Sequence, residues 1–451
     1  MVRFGPVDET VTPVTAHVQL SGIDAASGLA YSDYALWLDG RAGAATGRAD
    51  FPVMGPPSFN GLATLFRVYA SPAAASSMPA MLVLHGNGGS WLDHRPVASN
   101  DAPDFSLSKG LVTAVDDAFV YTSGSTVSTG TTRWFGAWDG FDRFNPSLTT
   151  PPNGVTVHAY ALRRLLWIRD WLVSAKGVDA DRVLIGGHSM GGLGAVTATR
   201  AFPDKFAGTL AYQCHTRVPS GFGDFLRGTE AQNLTTSLGA TMVDVHDPTV
   251  LLSATQLPPM HFIWGTTDNM IPWADKPATI AQLSALKRGH QIWWDNRTHG
   301  YPWVGRFVGS VGLRAESLLK LRRNQSYPAF SAEVSPDAST ANSWGTQGGY
   351  LEWDPDALTE SATAWTIELW LRSTAAHAAD VPSFATVTVD VSVRRPQTFL
   401  PAAGAARSWS LRRVSDNALL QSGTLTVGAG GLVTVQALVV PKERARLTVG
   451  P

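Results

Sequence analysis

Short apolar runs alternate with amphipathic stretches through the middle of the chain, beginning at residues 63–70. Such runs predict the buried strands of a mostly parallel sheet, and the stretches between them predict helices that cover both of its faces. The clearest helix is predicted over 157–177, where Gly177 stands at the position of a C-terminal cap. The predicted strands are residues 80–86, 118–124, 182–188, 208–214, 260–265 and 290–296.

The pattern is different at both ends of the chain. Residues 1–62 contain short candidate strands without a helical period, which predicts an N-terminal β extension packed on the core. Residues 326–451 contain strict alternation, for example valine at positions 387, 389, 391 and 393, which predicts an antiparallel β-sandwich. Because a single core stops growing at roughly 250 to 300 residues, 451 residues favour several domains. We therefore expect an α/β domain at 63–325 between the other two.

Composition narrows the possible partners and locations. The chain has 35 basic and 36 acidic residues and no overall basic field, so nucleic acid is not an expected partner. No run of about 18 apolar residues predicts a membrane span. Cys214 is the only cysteine, which excludes an intrachain disulfide. Sixteen tryptophans and the β-rich tail favour a secreted or periplasmic protein whose leader lies outside this sequence, although a cytosolic location stays open.

The segment "IGGHSMGG" at 185–192 places Ser189 at the centre of a G-x-S-x-G motif. An apolar strand precedes the serine and a helical stretch follows it, so Ser189 is predicted at a strained corner. Gly187 and Gly191 leave room for that corner because they lack a Cβ atom. The corner also directs the backbone N–H of Met190 toward a developing oxyanion. The alternative is an ordinary glycine-rich connection.

A nucleophilic serine needs a histidine base and a carboxylate that orients the base. In an α/β sheet of this kind the acid and then the histidine follow later strands. Asp268 follows the predicted strand 260–265, and His299 follows the predicted strand 290–296. Upstream, a glycine-rich loop after His85 places the backbone N–H of Asn87 where a second oxyanion donor is needed.

Other side chains compete for the same roles. Asp295 lies close to His299 in the sequence, and Asp244 and Asp247 qualify as the acid only if residues 242–248 end a sheet strand. His188 and His290 are the rival bases, each with a structural alternative in the core. No histidine or carboxylate spacing typical of a metal site is present, so neither a metal nor a cofactor is expected.

Residues 63–323 resemble the α/β-hydrolase superfamily. The segment "VDADRVLIGGHSMGG" looks like the branch that contains dienelactone-hydrolase-like esterases, polyester depolymerases and prolyl-oligopeptidase-type catalytic domains, and "GHSMGG" is similar to bacterial cutinases. The resemblance implies a Ser189 nucleophile, His299 as base and then acid, Asp268 as its orienting carboxylate, and Met190 and Asn87 as oxyanion donors. It also implies acyl transfer through an acyl-serine.

The expected function is hydrolysis of carboxylic esters, with a polyester or an esterified polysaccharide as the expected substrate. A serine peptidase of the oligopeptidase type and a non-catalytic binding protein are the alternatives, and the oligomeric state is open. Aromatic side chains on loops suit substrate stacking, or alternatively they pack the domains together. The candidates are Trp91, Trp134, Trp138 and Trp273.

Overall fold

The computed structural model describes residues 16–25, 27–38, 62–71, 76–93, 109–138, 140–145, 147, 150–216, 224–253, 256–299, 318–374 and 381–451, and every structural statement below concerns these residues. The chain consists of two compact units. The first comprises Met1–Phe206 with Leu210–Ala254, and the second comprises Ala207–Thr209 with Thr255–Pro451. The domain boundaries predicted after residues 62 and 325 stay predictions.

The first unit is built on strands and helices that alternate after β9. Its helices are α1 (Tyr160–Lys176), α2 (Met190–Ala201), α3 (Asp224–Arg227) and α4 (Met242–His246). Its strands are β1 (His17–Ile23), β2 (Ala30–Leu38), β3 (Leu62–Ala70), β4 (Met78–Leu84), β5 (Leu111–Val115), β6 (Ala118–Ser123), β7 (Thr126–Thr131), β8 (Ala137–Trp138), β9 (Val157–His158), β10 (Val178–His188) and β11 (Gly208–Tyr212), of which residues 210–212 belong to this unit.

The main sheet of the first unit has the order β1-β2-β3-β5-β4-β10-β11. The pairs β4–β5 and β4–β10 are parallel, whereas the first strands pair antiparallel. Register places Gly187, near the end of β10, beside Leu84, the last residue of β4. The last residues of these two strands therefore lie at the same edge of the sheet.

One strand prediction is wrong. Residues 118–124 were predicted in the main sheet, but β6 pairs with β7 in a separate two-stranded hairpin. The sheet position belongs to β5, whose five residues are all buried. The physical reason is exposure, because every side chain of β6 remains at least partly accessible to solvent, and such a strand does not occupy the centre of a covered parallel sheet.

The predicted helix is confirmed with a shorter N-terminal end. Helix α1 begins at Tyr160, because residues 157–158 form β9, and it ends before Gly177, which adopts φ 69° and ψ 26°. The Gly177 N–H donates to the carbonyl of Leu172, as expected of a left-handed cap. Leu162, Leu165 and Leu172 are fully buried. The apolar stripe of α1 thus packs into the core that carries β10.

The second unit begins with another parallel pair. Strand β12 (Met260–Gly265) pairs with β13 (His290–Asp295), and α5 (Lys276–Ala285) lies between them in the chain. Strand β15 (Gly345–Gln347) adds antiparallel to β13. The remaining strands are β14 (Tyr327–Val334), β16 (Leu351–Glu360), β17 (Trp365–Leu371), β18 (Thr386–Arg394), β19 (Ala406–Arg413), β20 (Leu419–Thr426), β21 (Thr434–Pro441) and β22 (Ala445–Gly450).

These remaining strands form two antiparallel sheets, ordered β14-β18-β21 and β16-β17-β22-β19-β20. Valines 387, 389, 391 and 393 are all buried, as their alternation predicts. The fold class is confirmed as α/β. The central strands of the first unit pair in parallel and a serine corner follows β10, and the second unit contains a parallel pair and C-terminal antiparallel sheets.

Glu333 in β14 makes the stability of the second unit depend on pH. Its carboxylate accepts hydrogen bonds from Ser335 Oγ and the Gly348 N–H, yet burial raises its pKa to about 7. A carboxyl group whose pKa is raised by folding stabilises the folded state fully at pH values below its unfolded pKa. This contribution is lost as the pH rises through about 7. Screening at this partly exposed group limits the effect to about 1–2 kcal/mol.

Glu333→Gln is therefore expected to flatten the fall in unfolding free energy between about pH 5 and about pH 8. Urea denaturation at both pH values measures this free energy of unfolding. Glu443→Gln, which removes an exposed carboxylate paired with Arg413, is the matched control and should keep the wild-type slope. An unchanged slope in Glu333→Gln would contradict the assignment.

Candidate active site

Ser189 occupies the corner between β10, which ends at His188, and α2, which begins at Met190. Its backbone has φ 55° and ψ −119°, a conformation that residues with a Cβ atom rarely adopt and that costs about 1–3 kcal/mol. The Ser189 N–H donates to the Tyr212 carbonyl of β11 at 2.8 Å, which anchors the corner to the neighbouring strand. The predicted strained corner is thus present.

Three glycines make this corner possible. A Cβ atom on Gly187 would lie 2.5 Å from the carbonyl carbon of Gly191, and one on Gly191 would lie 1.9 Å from the Leu84 carbonyl oxygen. A Cβ atom on Gly192 would lie 2.9 Å from the Cβ of Cys214. Helix α2 therefore approaches β4 and the end of β11 so closely that side chains do not fit at these positions.

The loop that follows β4 lies next to the serine. A Cβ atom added to Gly86 would stand 3.7 Å from the Cβ of Ser189. His85 Nε2 accepts the Asp117 N–H at 2.9 Å, so its Nδ1 is the nitrogen that donates to the Gly86 carbonyl, at 2.8 Å. In a trans peptide the C=O and the following N–H point in opposite directions. The buried His85 ring thereby determines the direction of the Asn87 N–H.

A buried carboxylate supports this loop, and sequence reasoning missed it. Asp117 accepts hydrogen bonds from Thr132 Oγ1, from the Trp134 N–H and from Arg164 Nη2 on α1. An ion pair buried to this degree is stable only when further hydrogen bonds satisfy it, and here Thr132 and Trp134 supply them. Nothing near Asp117 in the sequence signals these contacts, because two of the partners lie 17 and 47 residues away.

Asp268 and His299 form a hydrogen-bonded pair in the second unit. Asp268 Oδ1 accepts the backbone N–H groups of Met270 and Ile271 at 2.9 and 2.8 Å, and Oδ2 lies 2.8 Å from His299 Nδ1. The Asp268 side chain is 1% exposed and that of His299 is 15% exposed. A carboxylate held in this way keeps the proton on Nδ1 and leaves His299 Nε2 able to accept one.

The rival acids have other partners. Asp295 is fully buried and binds Arg297 through both oxygens, at 2.6 and 2.7 Å. Asp244 lies in α4, so the sheet strand that its candidacy required is absent at residues 242–246, and its carboxylate accepts the Thr241 hydroxyl. Asp247 Oδ1 accepts both the N–H and the hydroxyl of Thr249.

The two rival bases also have hydrogen-bond partners. His290 lies buried in β13, where its Nδ1 donates to the Arg288 carbonyl and burial lowers its pKa to about 4. His188 Nε2 lies 3.0 Å from Gln213 Oε1. Both contacts agree with the structural alternative for these residues.

The structure contradicts a substrate-stacking role for Trp134. Its side chain is 0% exposed, donates from Nε1 to the His85 carbonyl and packs on Gly194 of α2, so it fills the core. Trp138 is half-buried and donates to the Phe225 carbonyl, and the ring of Trp91 lies 5.0 Å from the Arg67 guanidinium. Trp273 packs against Trp294 with ring centres 5.6 Å apart. Substrate contact by these three tryptophans stays a prediction.

The predicted residues are divided between the two units. Asn87, Ser189 and Met190 lie in the first, and Asp268 and His299 lie in the second.

Among the described residues, no three histidine, cysteine or acidic side chains are grouped as metal ligands. The described helices include none with both the length and the apolar character needed to cross a membrane.

Neither a protein-family model nor a curated protein matches the chain. Among solved structures, it is similar to an S-formylglutathione hydrolase from Agrobacterium tumefaciens, at 15% identity over 64% of this chain and 95% of that one, with a TM-score of 0.42. It is similar to a fluorophosphonate-binding serine hydrolase from Staphylococcus aureus at 16% identity, with coverage of 64% and 98% and a TM-score of 0.42. Dipeptidyl peptidase 4 from Porphyromonas gingivalis is 13% identical, with coverage of 58% and 34% and a TM-score of 0.38. Likenesses this low assign no function.

Proposed function

We propose that this chain is a serine hydrolase that cleaves carboxylic esters. The observation that carries the proposal is the backbone of Ser189, whose φ of 55° and ψ of −119° store strain at the start of a helix. Strain of this kind concentrates at functional sites. An ordinary glycine-rich connection gives no reason for this conformation to fall on a residue that carries a Cβ atom when glycines lie on both sides of it.

In the proposed mechanism Ser189 Oγ attacks the ester carbonyl carbon while His299 Nε2 accepts the hydroxyl proton. The bond to the leaving alcohol then breaks, and that alcohol takes the proton from His299. Water attacks the resulting acyl-serine, with His299 again accepting a proton, and Ser189 recovers it as the carboxylic acid leaves. The 2.8 Å bond from His299 Nδ1 to Asp268 supports this assignment because it orients the imidazole and stabilises its protonated form.

The negative charge on the oxygen of the tetrahedral intermediate must be stabilised by hydrogen-bond donors. Met190 is the first residue of α2, and the first four N–H groups of a helix have no acceptor within it. The Asn87 N–H is the second proposed donor. It is supported by the closeness of Gly86 to Ser189, where an added Cβ atom would lie 3.7 Å from the serine Cβ, and by the His85 hydrogen bond that orients the peptide. Each such donor is worth about a hundred- to a thousandfold in rate.

We propose an extracellular polyester or an esterified polysaccharide as substrate, in keeping with the partly exposed side chains of Trp91, Trp138 and Trp273. Such rings stack on sugars and aryl groups. We also propose a secreted or periplasmic location.

A substrate panel tests the function. Rates on p-nitrophenyl acetate, butyrate and octanoate are compared with rates on a prolyl peptide anilide, and Ser189→Ala supplies the background. Ser174→Ala, a serine of α1 whose hydroxyl binds the Trp171 carbonyl, is the matched control and should retain activity. We expect kcat/KM on at least one ester to exceed that on the anilide by about a hundredfold or more. A preference for the anilide would support a peptidase instead. A wild-type rate no higher than that of Ser189→Ala on every compound would overturn the hydrolase proposal.

A further inference from the structure

A cavity of about 190 Å³ lies within the second unit, apart from Asp268 and His299. This volume is below the roughly 300–1,000 Å³ of pockets for drug-sized ligands, so it suits a single ring rather than an extended molecule. Strands β12, β13, β16 and β17, the segment before β14 and the residue before β22 contribute to its walls. The residues that give the cavity its chemistry are Lys320, Glu352, Trp353, Asp354, Trp370 and Arg444.

The strand framework places an aromatic ring beside a carboxylate. Trp370 of β17 pairs directly across the sheet from Glu352 of β16, so their side chains share one face. Trp365 on the same strand is fully buried, whereas Trp370 is partly exposed, as the odd spacing between them predicts. Arg372 Nε holds Glu352 Oε1 at 2.8 Å. The carboxylate is therefore held in place beside the ring before any ligand arrives.

The charges that line the cavity neutralise one another. Asp354 lies 3.4 Å from both Lys320 Nζ and Arg444 Nη1, and the Arg444 guanidinium stands 4.3 Å from the centre of the Trp370 ring. Because the two cations and Asp354 are paired with one another, the lining leaves no unpaired charge among these three groups that would favour a charged ligand over a neutral one. Hydroxyl groups, in contrast, donate to Asp354 and accept from Lys320 and Arg444 without separating the pairs.

We propose that this cavity is a non-catalytic binding site for one neutral sugar ring. The Trp370 ring, over which the Arg444 guanidinium stands, forms the apolar wall against which C–H groups of the sugar pack, and Asp354, Lys320 and Arg444 supply donors and acceptors. The site does not rest on the proposed esterase function, because every residue that forms it lies outside the proposed catalytic set. It would hold a saccharide chain on the protein independently of any ester that the chain carries.

Calorimetric titration of the full-length Ser189→Ala chain tests the proposal with unesterified cellohexaose, xylohexaose and chitohexaose as probes. We expect at least one hexasaccharide to bind with a dissociation constant of about a millimolar or below. Trp370→Ala should weaken that binding by about tenfold or more, and Trp370→Phe, which keeps a ring, should weaken it less. Asp354→Asn changes no side-chain shape and should also weaken binding, which keeps the test valid if Trp370→Ala fails to fold.

Trp409→Ala is the matched control. Trp409 is a partly exposed tryptophan on the same five-stranded sheet, and it lies over Gly423 away from the cavity. This variant should bind as the parent does. No heat of binding with any of the three hexasaccharides would overturn the proposal, as would binding that Trp370→Ala and Asp354→Asn leave unchanged. Displacement of the sugar by free glycine at equal concentration would assign the cavity to a zwitterion instead and would equally overturn it.

Discussion

Asp268→Asn is expected to lower kcat for ester hydrolysis by about 10⁴-fold while the protein remains folded. Asp268 Oδ1 accepts two backbone N–H groups, from Met270 and Ile271, so an asparagine in its place would keep its carbonyl oxygen there. The amide NH₂ would then face His299 Nδ1 as a donor. That contact forces the ring proton onto Nε2, where it prevents His299 from accepting the proton of Ser189.

Asp295→Asn is the control that separates the two candidate acids. Asp295 is buried and bidentate with Arg297, so removing its charge leaves an uncompensated guanidinium in the core and should lower the melting temperature. Steady-state kinetics and thermal unfolding are measured on both variants. The assignment of Asp268 would be wrong if Asp268→Asn kept kcat within about tenfold of wild type. It would also be wrong if Asp295→Asn lost kcat at an unchanged melting temperature.

The parts of the fold that the sequence predicts best are those in which a local pattern and a tertiary requirement agree. The strand at 260–265 is buried throughout and has the predicted bounds, because its apolar run is too short for a helix and suits a strand that is covered on both faces. The serine corner is predictable for a related reason. Its glycines are required by contacts with β4 that hold for any strand-to-helix corner of this tightness.

The errors arise where distant contacts decide the outcome. Strand β5 is short and lies close to a second apolar run in β6, and which of the two joins the main sheet is decided by the pairing of β5 with β3 and β4. Trp134 lies on a loop with other aromatics, yet its burial follows from the missing side chain of Gly194 on α2. The burial of the Asp117 carboxylate likewise depends on a distant residue, Arg164, which donates a hydrogen bond to it. No local pattern in the sequence carries this information.

Gly191→Ala is expected to destabilise the first unit by more than about 4 kcal/mol, which lies in the range of the most damaging single substitutions. The added Cβ would lie 1.9 Å from the Leu84 carbonyl oxygen and 2.7 Å from that of His85. Both atoms belong to the backbone at the end of β4, so no flexible side chain can move aside, and α2 would have to leave the sheet. Thermal unfolding should record a fall of about 10 °C or more, or the variant should accumulate as insoluble protein.

Gly86→Ala provides the matched comparison on the other side of the same corner. Its added Cβ would meet its nearest neighbours, His188 and Ser189, at 3.6 to 3.7 Å, which is ordinary van der Waals contact. This variant should therefore fold with a melting temperature near that of wild type, whereas its rate should fall because the methyl group crowds Ser189 and the loop that orients the Asn87 N–H. A wild-type melting temperature for Gly191→Ala would show that α2 does not press on β4 as closely as these distances require. Equal destabilisation by both substitutions would show that loop rigidity, rather than backbone overlap, limits the corner.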